Sequence, residues 1–371
     1  MIDTIILLIP PPQFKIVKPS EFTPSADLIY HNRAIKAVLN PTTKELKSGI
    51  YKPRLTLSRR KNLQGISEIM LTIEFSIPKL MFGNNIEELQ QKDFGDVITK
   101  LNTVLFDMGV EIYAQDLQNA AVLAIHFSKN IVLTDGSTPF HFIQKIKETA
   151  MSGRLDNNQT DYRNAGHCFK YHCNSYEMVF YDKIYDLEKS KISRKRAIDP
   201  DNFFDMKTLS KVRTARKKFE LLRMEIRLNK RNKIQSLFSK LNIKNDLTFS
   251  KLFRSSIARK VLLHYVSVLE CKRSSFIDFK PQNDRSMLTM LALHNPTLKP
   301  KQIVQFFGLK KALETITLDE LKKIIVKNDI YSWSRLIKEL ETIEMPTTQK
   351  PFAIIRNQIE RYKPVRLNKK S

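Results

Sequence analysis

Glu220-Leu221-Leu222-Arg223-Met224-Glu225-Ile226-Arg227-Leu228-Asn229-Lys230 alternates strictly from Leu222 to Asn229. Leu222, Met224, Ile226 and Leu228 fall on one side, and Arg223, Glu225, Arg227 and Asn229 on the other. A period of two is the spacing of a strand, and the split in polarity is that of a strand with one buried face. Three similar stretches lie upstream: Leu71-Thr72-Ile73-Glu74-Phe75-Ser76-Ile77-Pro78-Lys79, Leu123-Ala124-Ile125-His126-Phe127-Ser128 and Met178-Val179-Phe180-Tyr181-Asp182-Lys183. Each carries one reactive side chain among apolar and β-branched residues. Antiparallel pairing brings residues distant in sequence onto one sheet face, so Glu74, His126, Tyr181 and Glu225 become candidates for a single site.

Working outward, Thr4 to Pro10, Tyr51 to Ser58 and Glu68 to Ile77 read as strands, and Gly166 to Lys183 as a hairpin turning near Asn174-Ser175. Ile86 to Phe106 has helical spacing, and Thr138 to Ala150 reads as a capped helix with Pro139 in its first turn. After about Ile234 the chain turns helical, with amphipathic stretches at Leu318 to Asn328 and Ser332 to Glu344. The expected fold is α+β: an antiparallel sheet core flanked by helices over residues 1–240, then an all-helical region over 241–371.

The chain has 371 residues, 42% of them hydrophobic, which suffices for one large or two moderate domains. Lys and Arg number 63 against 38 acids, a net charge of +25. Self-repulsion of that size points to an anionic partner, nucleic acid before membrane; a generally lysine-rich composition is the alternative. The charge clusters. Lys207, Lys211, Arg213, Arg216, Lys217, Lys218, Arg223, Arg227, Lys230, Arg231 and Lys233 are opposed within that stretch only by Glu220 and Glu225. Such a stretch is expected to track backbone phosphates, with affinity that falls steeply with salt. The start lacks the basic region of a signal peptide, and Ile5 to Ile9 is too short to span a bilayer. Three cysteines, Cys168, Cys173 and Cys271, are too few for a disulfide scaffold, so a cytoplasmic protein is expected.

Two carboxylates and an imidazole suit Mg²⁺ or Mn²⁺, and Glu74, His126 and Glu225 are the expected ligands. Singly, each has a plainer reading: a solvated glutamate, a packed histidine, an amphipathic strand tyrosine, and a charge ladder at Arg223, Glu225 and Arg227. His167-Cys168 with His172-Cys173 is a competing zinc constellation, but adjacent strand residues point to opposite faces and do not converge without a tight turn.

The four strand segments, in this order, resemble the II/X family of replication initiators from filamentous phages and related plasmids. The likeness runs nearly end to end. Ile73-Glu74-Phe75-Ser76-Ile77-Pro78-Lys79 with Gly83-Asn84 is similar to the family's Glu-containing strand and Pro-Lys corner. Val179-Phe180-Tyr181-Asp182-Lys183 with Leu187 resembles its nucleophile segment, and Leu222 to Arg227 its Arg-x-Glu-x-Arg strand. Phe306-Phe307-Gly308 and Ser332-Trp333-Ser334-Arg335 are similar to its tail. One strand departs: Ala124-Ile125-His126 stands where the family has Arg-Ile-Asp, and Ser128 occupies what is a second His in the broader nicking-enzyme class.

The resemblance implies a rolling-circle endonuclease acting in a bacterial host cell. Tyr181 would attack a phosphodiester at an origin, leaving a 5′-phosphotyrosine and a free 3′-hydroxyl, with Lys183 adding charge and Arg223 and Arg227 forking onto phosphates. A metal held by Glu74, His126 and Glu225 would assist. Host helicase and polymerase are the implied partners. Tyr185, four residues on, is a candidate second tyrosine or a packing residue. The rivals are a non-enzymatic DNA-binding regulator and a conjugative relaxase.

Overall fold

A computed structural model describes residues 1–42, 44–45, 48, 50–61, 65–133, 136–147, 165–189, 220–272, 275–316, 318–325, 330–346 and 352–366. Among the described residues ten strands run in chain order: β1 (Ile2–Ile9), β2 (Phe14–Ile16), β3 (Lys36–Leu39), β4 (Arg54–Lys61), β5 (Ser67–Ser76), β6 (Val110–Ile112), β7 (Ala121–Leu133), β8 (Cys168–His172), β9 (Tyr176–Asp182) and β10 (Glu220–Leu228). Eight form one antiparallel sheet in the order β3-β4-β5-β1-β7-β10-β9-β8; β2 and β6 pair separately. The fold is α+β, with a large antiparallel sheet and a helical C-terminal region.

Register follows the sequence pattern. Ile226 stands opposite Phe127 and Met178, while Arg223 stands opposite Asn130 and Tyr181. Because paired residues share a face, one side of the sheet is apolar (Ile5, Ile73, Ile125, Phe127, Met224, Phe180) and the other polar. The apolar side is buried under the helices Phe94–Asp107, Ser255–Lys272 and Ala353–Arg361, through Val97, Leu101, Val261, Leu262 and Ile355. Each such fully buried side chain contributes about 1.5–3 kcal/mol.

Two expectations change. Helical spacing from Ile86 is realised only as Phe94–Asp107. Residues 86–88 instead lie against β7 and β10. Ile86 packs on Leu187 and Leu221, and Glu88 is drawn to Lys129 and the Asn130 amide. Nor does packing divide at residue 240: Ile234, Phe249, Ala258, Leu269 and Phe352 join the sheet's core, and a separate core forms from Phe276, Met287, Leu291, Phe306, Leu340 and Ile343. The helical spacing after 234 does not tell which helices cover the sheet; that is set by tertiary contact. Among the described residues no helix is long and apolar enough to cross a membrane.

Candidate functional site

On the polar side of the sheet lies a cleft of about 670 Å³ lined by side chains from β1, β5, β7, β8, β9 and β10. Glu74, His126, Tyr181, Lys183, Glu225 and Arg227 all reach it. Six cations (Lys52, Arg54, Lys79, Lys170, Lys183 and Arg227) face four acids (Asp3, Glu74, Asp186 and Glu225), so the cleft has a positive excess.

Its most connected group is Glu225. Tyr181 is one strand over and diagonal to it, and the Tyr181 hydroxyl donates to Glu225 Oε1 at 2.7 Å. The same oxygen accepts Arg223 Nε at 2.7 Å, and Oε2 accepts Arg227 Nε at 2.9 Å and Nη2 at 2.7 Å. Burial pushes the Glu225 carboxyl up, but the Arg227 and Arg223 charges and these hydrogen bonds outweigh it and hold it well below the usual carboxylate range. Tyr181 moves the other way: burial, then the Glu225 charge, raises its phenol well above 10. The tyrosine is therefore a neutral donor at neutral pH, 7% exposed, aimed at a carboxylate. Lys183 Nζ sits 5.6 Å from the Tyr181 ring centre and pairs with Asp186 at 3.2 Å.

Arg223 is 1% exposed, and its five N–H groups meet five acceptors. Beyond Glu225 these are the Asn85 carbonyl (2.6 Å), Asn130 Oδ1 (3.1 Å), Asp3 Oδ1 (2.7 Å) and Ser128 Oγ (3.2 Å). This corrects the expectation that Arg223 forks onto phosphate: no donor is left to offer. Arg227, with its side chain 32% exposed and shared between Glu225 and Glu177, remains at the cleft surface. Asp3, Asn85 and Asn130 escape sequence reasoning. Asn130 lies on the polar register of β7, which is a legible signal; Asp3 and Asn85 arrive by tertiary approach alone.

The three expected metal ligands do not converge. Both Glu225 oxygens are already engaged by hydrogen bonds. Glu74 stands opposite Ile6, Ile6 opposite Ala124, and Glu225 opposite Ser128. Three strand spacings and four residues separate the two glutamates, on the order of 15–20 Å between Cα atoms. An ion bonded at about 2.1 Å cannot bridge that. Glu74 has Arg54 at 4.0 Å instead. His126 Nε2 donates to Asn229 Oδ1 at 3.2 Å, and burial, then the Arg227 charge, lowers its pKa. Among the described residues no group of three His, Cys, Asp or Glu side chains forms a metal site.

Tyr185 stacks on His167, centroids 3.8 Å apart at 8°, and His167 Nδ1 donates to Asp182 Oδ2 at 3.1 Å. That contact supports the packing reading of Tyr185, and it uses His167 apart from His172 and Cys173. Lys230 and Arg231 are exposed at the start of the helix Arg231–Lys240, outside the cleft lining. Arg216, Lys217 and Lys218, with Lys207, Lys211 and Arg213 before them and the charged run Lys189 to Arg196 beyond its first residue, lie outside the described residues. Comparison of the chain with protein-family models, curated proteins and solved structures gives no match.

Proposed function

We propose that this chain nicks one DNA strand at a replication origin with Tyr181 as nucleophile, in the role of a rolling-circle initiator. The observation that carries the reading is the 2.7 Å hydrogen bond from the Tyr181 hydroxyl to Glu225 inside a cation-rich cleft. A phenol held well above 10 is protonated at neutral pH, so attack needs a proton acceptor already in hydrogen-bond reach. Glu225 meets that requirement. As the Tyr181 oxygen bonds to phosphorus, the phenol acidifies and its proton passes to Glu225. The bond from phosphorus to the 3′-oxygen breaks, that oxygen takes a proton from water, and the hydroxide left behind is neutralised by the proton that Glu225 gives up. The products are a 5′-phosphotyrosine and a 3′-hydroxyl. Rejoining is the reverse transesterification and needs no ATP. Arg227 and Lys183 supply positive charge where the phosphate gains negative charge. Glu74, His126 and Glu225 do not come together as the shell that the resemblance implies for Mg²⁺ or Mn²⁺.

Origin recognition and host helicase and polymerase as partners belong to the same proposal and rest on the resemblance. A second reading, a DNA-binding regulator without enzymatic activity, is favoured by the burial of Tyr181 and the saturation of Glu225. In it, the tyrosine merely satisfies a buried carboxylate.

Supercoiled origin plasmid incubated with wild type and Tyr181→Phe, with and without Mg²⁺ or Mn²⁺, separates the two. Nicking with a covalent protein–DNA adduct, both lost in Tyr181→Phe, is expected. Nicking that survives in the variant removes Tyr181 as nucleophile. Tight binding with no adduct on any candidate origin favours the regulator.

A further inference from the structure

A second cavity, of about 440 Å³, opens between residues 242–246 and the start of the helix Ser255–Lys272. Lys244, Lys251, Arg254 and Lys260 line it, against one acid, Asp246. All four cations are exposed, and none has an acidic partner among the described residues. Asp246 is itself engaged, accepting the Thr248 hydroxyl at 3.2 Å.

The backbone that carries these charges is anchored. Leu247, Phe249, Leu252, Phe253 and Ala258, interleaved with the cations, are buried in the sheet's core. The Leu247 carbonyl accepts the Val122 amide at 2.9 Å, and Thr248 bridges Ala121. Four like charges are therefore gathered around one cavity on a fixed frame. Asp246 is the one acid among the lining residues against these four cations, and that excess of positive charge favours an anion.

We infer that this cavity binds the phosphate backbone of duplex DNA, at a place distinct from the Tyr181 cleft. Among the described residues no aromatic ring lines it, and Ile243 and Ile257 are its only large apolar groups, so these offer no stacking platform for a base. Contacts of cations to phosphate position a duplex without reading its sequence. The helix Ser255–Lys272 lies on the apolar side of the sheet, whereas the Tyr181 cleft opens on the polar side. The ligand here is a second stretch of DNA, flanking the one that enters the cleft.

The test is anisotropy of a labelled duplex of arbitrary sequence, titrated at several salt concentrations. It reads binding alone, so failure of the Tyr181 reading leaves it intact. The variant carries Lys244→Gln, Lys251→Gln, Arg254→Gln and Lys260→Gln. A control carries Lys36→Gln, Lys92→Gln, Lys100→Gln and Lys301→Gln, all exposed elsewhere, with the same charge change. Every cation removed from a DNA phosphate lowers the slope of log K against log salt by about 0.9. The cavity variant is expected to lose roughly 2–4 units of slope and at least about tenfold in affinity, and the control less than about one unit. The pair Lys251→Gln with Lys260→Gln alone should lose about half as much, which keeps the test open if the fourfold variant folds poorly. Equal losses in variant and control overturn the inference. So does unchanged duplex affinity in a variant that has lost thermal stabilisation by pyrophosphate, since that outcome assigns the cavity to a free phosphate compound.

Discussion

Replacing Arg223 by Met distinguishes a buried hub from a DNA contact. The substitution keeps an apolar stem of similar reach and removes all five N–H donors. The Asp3 carboxylate then keeps the Thr4 hydroxyl at 3.1 Å, and Glu225 keeps Tyr181 and Arg227. Summing five bonds, three of them to neutral acceptors, overstates the loss because they share one guanidinium. Removing one partner of a buried ion pair costs about 3–5 kcal/mol, and that is the figure expected. At roughly 2–4 °C per kcal/mol for a domain of this size, the melting midpoint falls on the order of 10 °C. Arg223→Lys, with its charge kept but three donors in place of five, should fall between. The assay is thermal and urea denaturation followed by circular dichroism, with the salt dependence of duplex binding measured in parallel on the folded protein. The hub predicts lost stability with an unchanged salt slope. A normal midpoint with the slope reduced by about one unit would refute the buried role and restore Arg223 to the phosphate contacts.

Tyr181→Phe removes one hydrogen bond to a charged acceptor while both arginines stay on Glu225, so about 1.5–3 kcal/mol of stability should be lost in a denaturation titration. Glu225 is depressed from 4.5 in the folded state, so its contribution is fully present above that value and vanishes as pH falls through the lower folded pKa. Denaturation below pH about 4.5 should be less steep in Glu225→Gln than in wild type, though the variant is less stable at pH 7; equal steepness would discount the linkage. Burial, then the Asp186 charge, raises the Cys168 thiol to about 11, while at Cys173 burial is outweighed by hydrogen bonding to Ser175 and the thiol is lowered. Site-resolved alkylation at pH 8 should therefore modify Cys173 well before Cys168; the reverse order contradicts the assignment.

Strand existence and facing are legible in the sequence because a half-buried antiparallel strand must alternate. Leu222 to Leu228 and the hairpin at Asn174-Ser175 read that way, and the register agrees with them. The same alternation puts Tyr181, Glu225, His126 and Glu74 on one side of the sheet, where they line one cleft. Periodicity tells which face a side chain takes, not how far along the sheet it lies. Strand order and register decide that, and they leave Glu74 and Glu225 several strands apart. Nor does a sequence disclose partners across long loops. Asp3, Asn85 and Asn130 come from three separate segments to saturate Arg223, turning an expected surface fork into a buried hub. Local pattern resides in the order of residues; the state of a charged group depends on which donors and acceptors reach it, and only the folded chain settles that.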